Sequence, residues 1–353
     1  MKKKNLGIIL GGMSTENEVS CMSGMSVIRN LDKEKYNIYT IYIDKKGQWF
    51  EVQNIENKEK LGEELEDKVI INNVVEYLKK LDVVFPVLHG LYGEDGTIQG
   101  LLELLKIPYV GCGVLASSVG MDKVYSKIVF EKAQIPQTPY FYIRKVNENY
   151  IYIDAEFNEH PLELNEITNK VSQNLKYPVF VKPSNSGSSV GVKKANDINE
   201  LKEAIEYASE FDSKILVEQG IIGKEIECAV LGNNDVIASC TGEVKAADEF
   251  YSFDAKYNNS ESRTVIPAEI SEEKSEEIRT LAKKAFKAID GKGLSRVDFF
   301  VEDETEKVYI NEINTLPGFT NISMYPMMFE HSGISYTELL DKLISLAETT
   351  VEA

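Results

Sequence analysis

The chain has 353 residues, 43% of them hydrophobic and 27% charged, which is the composition of a globular protein with two or three domains. Its formal net charge of −18 disfavours nucleic acid or an anionic membrane as the main partner, and no apolar run is long enough to span a membrane. The four cysteines form no C-x-x-C pair and the three histidines match no zinc motif, so we expect reduced thiols in a cytoplasmic protein.

The first third of the chain has the pattern of an open α/β sheet. The apolar run Leu6–Leu10 predicts a buried parallel strand, and Ser14 is the predicted cap of a helix that begins near Glu16. A further buried strand over Asp82–Val87 is followed by His89. Ligands of such sheets bind beyond the carboxyl ends of the strands, so Glu16 and His89 are predicted to face one crevice. The alternatives are a first-turn acid that interacts with the helix dipole and a structural loop histidine.

A domain boundary is predicted near residue 122, where a helix from Met121 to Ala133 is followed by two prolines. Residues 140–176 are weakly patterned, apart from a helix near Leu164–Leu175. The next clear feature is a strand over Tyr177–Pro183.

A loop of small residues, Ser184–Gly191, follows this strand, and Lys182 stands just before it. Such a loop offers backbone N–H and hydroxyl donors of the kind that hold phosphate, and a lysine at its start pairs well with phosphate. The loop lacks the spacing of a P-loop and joins two strands, so a flexible hairpin turn is the alternative.

Two carboxylates and a long irregular segment come next. Glu218 ends one predicted strand and Glu225 begins another, and each is by itself a solvated acid. Residues 243–266 contain clustered aromatics without periodicity, and we interpret them as a lid because long loops in compact domains are usually functional. Apolar periodicity then predicts a helix over Ser271–Ile289 and a final one over Ser335–Ala347.

The segment 294–318 predicts an antiparallel hairpin. Two β-rich runs, Val297–Val301 and Val308–Ile313, flank a charged gap of six residues. With Asp298 opposite Glu312, Arg296 lies opposite Asn314. Side-chain alternation then gives each strand one shared face, consisting of Arg296, Asp298 and Phe300 on the first and of Ile310, Glu312 and Asn314 on the second.

This hairpin is a candidate metal site. Asp298, Glu312 and Asn314 would bring two carboxylates and an amide oxygen to its open end. Such ligands suit Mg²⁺, which takes its other ligands from phosphates and water. The alternative is a hairpin whose charged face is only solvated.

Eight motifs occur in one order along nearly the whole chain, and together they resemble the D-alanine–D-alanine ligases of the ATP-grasp superfamily. The motifs are Gly11–Ser20, Pro86–Gly90, Gly93–Thr97, Met121–Lys123, Val181–Gly191, Phe253–Tyr257, Ser295–Asp298 and Asn311–Gly318.

The resemblance implies an α/β and α+β chain with an ATP-grasp fold and an N-terminal open parallel α/β domain. The domains would be residues 1–121 for substrate binding, 122–218 with the glycine-rich loop, and 219–353 with the lid and metal site. The implied protein is a homodimer that joins two D-alanines through an acylphosphate and converts ATP to ADP and phosphate, for peptidoglycan synthesis. The alternatives are a ligase that adds D-serine or D-lactate to D-alanine and a non-catalytic nucleotide-binding module.

The resemblance also implies the ATP and metal contacts. Lys123 and Lys182 would bind phosphates, Lys256 would cover the γ-phosphate, Glu225 would bind the ribose and the main chain near Ile221 would meet adenine. Two Mg²⁺ or Mn²⁺ ions would be held by Asp298, Glu312 and Asn314. The full implied nucleotide set is Lys123, Lys182, Ser188, Ser189, Glu218, Ile221, Glu225 and Lys256.

The remaining implied residues bind amino acids or act in catalysis. Arg296 and the backbone N–H of Gly318 would stabilise the oxyanion. Glu16 would contact the ammonium group of the first D-alanine. It would also form a hydrogen-bonded set with Ser188 and Tyr257. A tyrosine at position 257 is typical of relatives that add D-alanine rather than D-lactate. The implied substrate contacts are Glu16 and His89 for the first D-alanine and Ser323 and Met324 for the second.

Overall fold

The computed structural model describes residues 2–53, 55, 68–245 and 263–349, and within these ranges the strands form three sheets. None of the helices in these ranges is long and apolar enough to cross a membrane.

The N-terminal sheet has a parallel centre and an antiparallel edge. Strand β1 pairs in parallel with β2 and β5, which confirms the buried strand predicted over Leu6–Leu10, and β3 and β4 extend the sheet in antiparallel fashion. The strands are β1 (Lys4–Gly11), β2 (Tyr36–Ile43), β3 (Trp49–Val52), β4 (Lys68–Ile70) and β5 (Val83–Pro86), and the helices are α1 (Asn17–Asn30), α2 (Val74–Leu78), α3 (Thr97–Leu104) and α4 (Val114–Met121).

Ser14 does not cap helix α1, and that prediction was wrong. The N-cap residue is Glu16, and its side chain makes no capping hydrogen bond. The Ser14 hydroxyl instead donates to the His89 carbonyl at 2.6 Å and accepts from the Glu16 N–H at 3.2 Å. Ser14 therefore ties the turn after β1 to the turn after β5.

The central sheet is antiparallel, with strand order β10-β9-β11-β6-β7-β8. Sequence reasoning missed β6, β7 and β8, because half-buried tyrosines on one face hide the alternation with buried residues such as Phe141 and Ile143. The strands are β6 (Tyr140–Val146), β7 (Asn149–Ile153), β8 (Glu159–Leu162), β9 (Val179–Pro183), β10 (Lys193–Ala195) and β11 (Lys214–Gln219), and the helices are α5 (Lys123–Lys132), α6 (Leu164–Asn174) and α7 (Ile198–Ala208).

The C-terminal sheet is also antiparallel, with order β14-β13-β12-β15-β16. Residues 243–266, predicted to be irregular, begin and end in strand, while residues 246–262 lie outside the described chain. The strands are β12 (Gly223–Gly232), β13 (Ile237–Lys245), β14 (Arg263–Val265), β15 (Gly293–Glu302) and β16 (Val308–Asn314), and the helices are α8 (Glu272–Ala288), α9 (Met324–His331) and α10 (Tyr336–Thr349).

The hairpin of β15 and β16 has the predicted register at its open end. Asp298 pairs with Glu312 and Arg296 with Asn314, as expected. Beyond that point a register shift pairs Phe299 with Ile310, which leaves Asn311 as the extra residue of a bulge. The prediction that Ile310 shares a face with Glu312 was therefore wrong, because Ile310 packs with Phe299 in the core.

One large core joins the two ends of the chain. Apolar residues of β1 and β5 share a buried cluster with α9, α10 and the loop before α9. Its centre includes the ring of Phe85, which packs edge-to-face on Phe319 with centroids 5.4 Å apart. This packing holds the carboxyl ends of β1 and β5 against the loop that follows the hairpin.

Candidate active site

Most predicted site residues line a single cavity of about 580 Å³, to which all three sheets contribute. Asp298 does not line it but contacts two residues that do. Lys256 and Tyr257 lie outside the described residues, so their roles stay predictions. The predicted residues that line the cavity are Glu16, His89, Lys123, Lys182, Ser188, Ser189, Glu218, Ile221, Glu225, Arg296, Glu312, Asn314, Gly318, Ser323 and Met324.

Arg296 is held between two buried carboxylates. Its Nε and Nη2 atoms donate to the two Asp298 oxygens at 2.8 and 2.7 Å, and Nε also lies 3.1 Å from Glu227 Oε2. Asn314 Nδ2 donates to Asp298 at 2.9 Å. Burial alone would lower the pKa of Arg296, but Asp298 and Glu227 raise it well above its ordinary value. The guanidinium is therefore a fixed positive charge at the cavity wall.

Lys182 and Glu218 form an ion pair at the base of the cavity. Glu218 contacts Lys182 through Oε1 and lies 3.0 Å from Lys127 Nζ through Oε2. Burial alone would raise the pKa of Glu218, but Lys182 and Lys127 together lower it to about 2. Lys182 Nζ also donates to Asn311 Oδ1 at 3.4 Å, so the bulge residue of β16 reaches this group.

Lys123 bridges the small-residue loop and the hairpin. Its Nζ donates to the Ser186 carbonyl at 2.7 Å and lies 3.4 Å from Glu312 Oε2. Its backbone N–H donates to the Ser184 carbonyl at 3.0 Å. Helix α5 begins here because the Asp122 side chain accepts from two N–H groups of the first turn. This cap fixes the position from which Lys123 enters the cavity.

The small-residue loop leans across the cavity onto helix α1. The Ser188 hydroxyl donates to Glu16, so the structure brings together two of the three residues predicted to act as a set. Ser188 and Ser189 have φ of 49° and 59°, an arrangement that turns the loop sharply. A Cβ at Gly187 would lie 2.9 Å from Glu16 Oε2, so a side chain there would press on this contact.

His89 is buried, and both of its ring nitrogens bind the protein. Nδ1 lies 3.1 Å from the Leu316 carbonyl, which can only accept, so Nδ1 carries the proton. Nε2 lies 2.9 Å from the Ser23 hydroxyl. Burial lowers the pKa of His89, which keeps the ring neutral. His89 thus links the turn after β5 to the loop before α9 and to α1, while it also lines the cavity.

Several residues in or beside the cavity escaped sequence reasoning, among them Glu94, Glu227 and Lys127. Glu94 lines the cavity, accepts from the Gly90 N–H at 2.9 Å, and burial together with the charge of Glu16 raises its pKa to about 8. Glu227 shares the strand face of Glu225, and that two-residue spacing was a usable signal. Lys127 lies one helical turn after Lys123, and this spacing also indicated a shared face.

Gly318, Ser323 and Met324 lie where the loop after the hairpin enters α9. The Ser323 hydroxyl accepts from the Thr320 N–H at 2.9 Å, and a Cβ at Gly318 would lie 2.8 Å from that hydroxyl oxygen. The Met324 side chain is buried in the core, so its backbone N–H, at the start of α9, is the group suited to an anion.

The hairpin donors fit Mg²⁺ in part, because both Asp298 oxygens already accept hydrogen bonds from Arg296. Glu312 and Asn314 line the cavity, and Asp298 lies directly beside them in the ladder. In the described part of the chain, no group of three or more acidic, histidine or cysteine side chains is arranged to hold a metal ion. Two carboxylates and an amide agree with the usual habit of Mg²⁺, which completes its shell with phosphate oxygens and water.

Two antiparallel sheets, the central and the C-terminal one, both contribute lysines and carboxylates to this cavity, and a site between two such sheets is the arrangement of the ATP-grasp class. The D-alanine–D-alanine ligase structure from Coxiella burnetii matches with a TM-score of 0.83 and 32% identity, over 100% of this chain and 96% of that one. The VanG D-Ala:D-Ser ligase from Enterococcus faecalis matches with a TM-score of 0.84 and 35% identity, over 98% of this chain and 100% of that one.

Sequence comparison narrows the class. Family models described as D-ala D-ala ligase N-terminus and C-terminus match residues 5–112 and 129–345. The D-alanine–D-alanine ligase of Acetivibrio thermocellus is 51% identical, over 98% of this chain and 96% of that protein. That of Clostridium novyi is 48% identical, over 98% of each. The chain belongs to the D-alanine–D-alanine ligase family.

Proposed function

We propose that this protein joins two D-alanines to D-alanyl-D-alanine while converting ATP to ADP and phosphate, and so supplies a peptidoglycan precursor. The observation that carries the proposal is the meeting of Lys123 and Lys182 with the hairpin carboxylate Glu312 in one cavity. Lys123 of the central region lies 3.4 Å from Glu312 of the hairpin, so a triphosphate bound there would contact both.

The nucleotide would lie between the central and C-terminal sheets. Lys123, Lys182 and the N–H groups of the loop at Ser188 would bind phosphates, because lysines and small-residue loops provide compact positive and donor groups. Ile221 and Glu225, which line the cavity on the linker and on β12, would meet adenine and ribose. One or two Mg²⁺ or Mn²⁺ ions held by Asp298, Glu312 and Asn314 would neutralise charge on the phosphates.

The first step needs an oriented amino acid. Glu16 would hold the ammonium of the first D-alanine by charge, close to the loop that binds the phosphates. The carboxylate of the first D-alanine would attack the γ-phosphorus of ATP, forming an acylphosphate and releasing ADP. Since positioning provides much of the rate enhancement in such transfers, the hydrogen bond from Ser188 to Glu16 would serve catalysis by fixing the loop.

In the second step the amine of the second D-alanine would attack the acyl carbon and phosphate would leave. Arg296 and the Gly318 N–H would stabilise the oxyanion, because preorganised charge acts strongly in a water-poor site. The N-terminus of α9 at Ser323 and Met324 would receive the carboxylate of this second substrate.

The test is product formation from purified protein, MgATP and D-alanine. We expect D-alanyl-D-alanine by mass spectrometry and ADP in equal amounts, with L-alanine as the inactive control. ADP release without dipeptide, or equal use of L-alanine, would refute the proposal.

D-serine is the alternative second substrate, because the VanG D-Ala:D-Ser ligase matches this fold at 35% identity. Competition between D-alanine and D-serine at neutral pH, read as the ratio of the two dipeptides, separates the two functions. A product dominated by D-alanyl-D-serine would replace the D-alanine assignment.

We also propose that the ligase is a homodimer and cytoplasmic. Light scattering on the purified chain should give twice the monomer mass of 39.7 kDa. A monomeric mass across the micromolar range would exclude the dimer, and cell fractionation tests the location.

A further inference from the structure

Lys127 is a buried lysine behind the candidate nucleotide site. It lies on α5, only 2% of its surface is exposed, and it does not line the cavity. Its Nζ lies 3.0 Å from Glu218 Oε2 and 5.3 Å from the ring centroid of Tyr140. The contact with Glu218 is an ion pair without hydrogen-bond alignment. An apolar residue would fill this space without the desolvation that a buried ammonium group suffers.

A chain of contacts leads from Lys127 to the cavity. Glu218 uses Oε2 for Lys127 and Oε1 for Lys182, and Thr138 Oγ1 donates to Oε2 at 3.4 Å. Lys182 lines the cavity and stands immediately before the small-residue loop. One carboxylate therefore couples a lysine that faces the cavity to a lysine that does not.

Charge balance explains why the second lysine matters. Glu218 has its pKa lowered to about 2, so it is ionised at neutral pH and attracts Lys182 strongly. With Glu218 and Lys182 alone, the pair would be neutral and the ammonium would be drawn fully onto the carboxylate. Burial lowers the pKa of Lys127, and the charge of Glu218 opposes that shift. With Lys127 protonated on the other oxygen, the three groups keep one net positive charge, which Lys182 can direct into the cavity.

We propose that Lys127 is a positioning residue for nucleotide binding, which shares the charge of Glu218 so that Lys182 can bind phosphate. The inference rests on the proposed function, since the ligand of Lys182 is there the nucleotide. Lys127 itself touches no substrate, and its effect passes through Glu218.

The first test is the variant Lys127→Met, which keeps nearly the same side-chain length and removes the positive charge. We expect the affinity for a non-hydrolysable ATP analogue with Mg²⁺, measured by calorimetry, to fall about 10- to 100-fold. The KM for D-alanine should stay within about twofold, because the amino-acid subsites lie elsewhere in the cavity. The matched control is Lys274→Met, which removes a lysine paired with Glu277 at 2.8 Å on α8, away from the cavity.

The second test separates positioning from a structural role. In a Glu218→Gln background the carboxylate that contacts Lys182 is gone, so adding Lys127→Met should change analogue affinity less than about threefold. An equal loss in both backgrounds would overturn the proposal, since Lys127 would then act independently of Glu218. Lys127→Arg should recover most of the affinity, and failure to recover it would contradict a role based on charge.

Further outcomes distinguish failure of the proposed function from failure of the positioning role of Lys127. If Lys127→Met does not fold, as judged by circular dichroism, Lys127→Gln replaces it with the same expected loss. If the unmodified protein neither binds the analogue nor forms dipeptide, the proposed function fails. If it does both and Lys127→Met binds the analogue normally, only the positioning role fails.

Discussion

Arg296 combines a structural and a proposed catalytic task in one side chain. Two donors go to Asp298, and Nε also lies 3.1 Å from Glu227, so the guanidinium cannot move freely. We predict that Arg296→Met lowers turnover at least about 100-fold through loss of an oxyanion donor. It should also lower the free energy of unfolding by about 3 kcal/mol, because two buried carboxylates lose their partner.

The matched variant is Arg296→Lys, which keeps the charge but cannot form the two-pronged contact with Asp298. Its turnover, measured as ADP release at saturating substrates, should lie between those of the unmodified protein and Arg296→Met. Turnover of Arg296→Met within a few fold of normal would exclude the oxyanion role.

Glu94 makes stability depend on pH. Burial and the charge of Glu16 raise its pKa from 4.5 to about 8 in the folded protein. Between these two values the folded state binds a proton that the unfolded state releases, so the free energy of unfolding falls as pH rises. Above the folded pKa this contribution is lost entirely.

We therefore predict that Glu94→Gln removes this slope. As pH rises from about 5 to about 8.5, the free energy of unfolding of the variant should increase relative to that of the unmodified protein by on the order of 2 kcal/mol. This is less than the full pKa shift implies, because the Glu94 carboxyl keeps some contact with solvent. Urea unfolding at both pH values measures the difference. The exposed Glu203→Gln serves as control, and identical slopes for Glu94→Gln and the unmodified protein would contradict the prediction.

Among the connections between secondary-structure elements, the loop between β9 and β10 needs a glycine at the point where it turns back towards β10. Gly191 has φ +76°, and a Cβ there would lie 2.5 Å from Pro183 and 2.8 Å from Phe211. We predict that Gly191→Ala weakens ATP-analogue binding about 10-fold and costs about 1–2 kcal/mol of stability, since strain and overlap add.

The matched control for this prediction is Gly100→Ala in α3. An added Cβ there meets nothing within 4 Å, so this variant should be neutral or about 0.5–1 kcal/mol more stable. Calorimetry and thermal unfolding of both variants provide the comparison. Normal analogue binding by Gly191→Ala would show that the loop tolerates a different conformation.

The hairpin shows how much of a structure the local sequence pattern can predict. Its open end, with Asp298 opposite Glu312, was expected from the alternation of polar side chains, although a regular ladder from the Val301–Val308 pair would place Asp298 opposite Asn311. The bulge at Asn311 was not, because it depends on how Phe299 and Ile310 pack in the core. That bulge lets Asn311 reach Lys182, a contact that no spacing rule predicted.

Helix α9 was missed from the sequence for a different reason than β6, β7 and β8. Helix α9 begins at Met324, carries Pro326 in its first turn and has only eight residues, so its pattern is too short to stand out although its buried residues lie on one side. Its position comes from the shared core, where Tyr325 and Phe329 pack beside Phe319. Long-range packing therefore determines an element that local propensity leaves open.

At the scale of the whole molecule, the hydrophobic cores differ in how far apart in the sequence their residues lie. Among the described residues, the core of the central sheet contains only ones between Phe141 and Val217. One face of the N-terminal sheet, by contrast, packs on α9 and α10 from the far end of the chain. Phe130 of α5 lies in a core with the C-terminal sheet, although the proposed boundary at residue 122 assigns it to the central domain.

We predict that residues 139–219 fold alone and that residues 1–121 do not. The first fragment carries a complete core in about 80 residues, a size that many independent domains have. The second would expose the face formed by Leu6, Ile8 and Phe85, an apolar patch of the kind that causes aggregation.

Expression of both fragments, followed by NMR and thermal unfolding, checks this prediction. Fragment 139–219 should give a dispersed spectrum and one cooperative transition, because its core needs no residue from outside. Fragment 1–121 should be aggregated or unfolded, and co-expression with residues 220–353 should increase its solubility, since that segment supplies α9 and α10. A soluble, cooperatively folded fragment 1–121 would show that the shared core is dispensable, and the two ends of the chain would then be separate folding units.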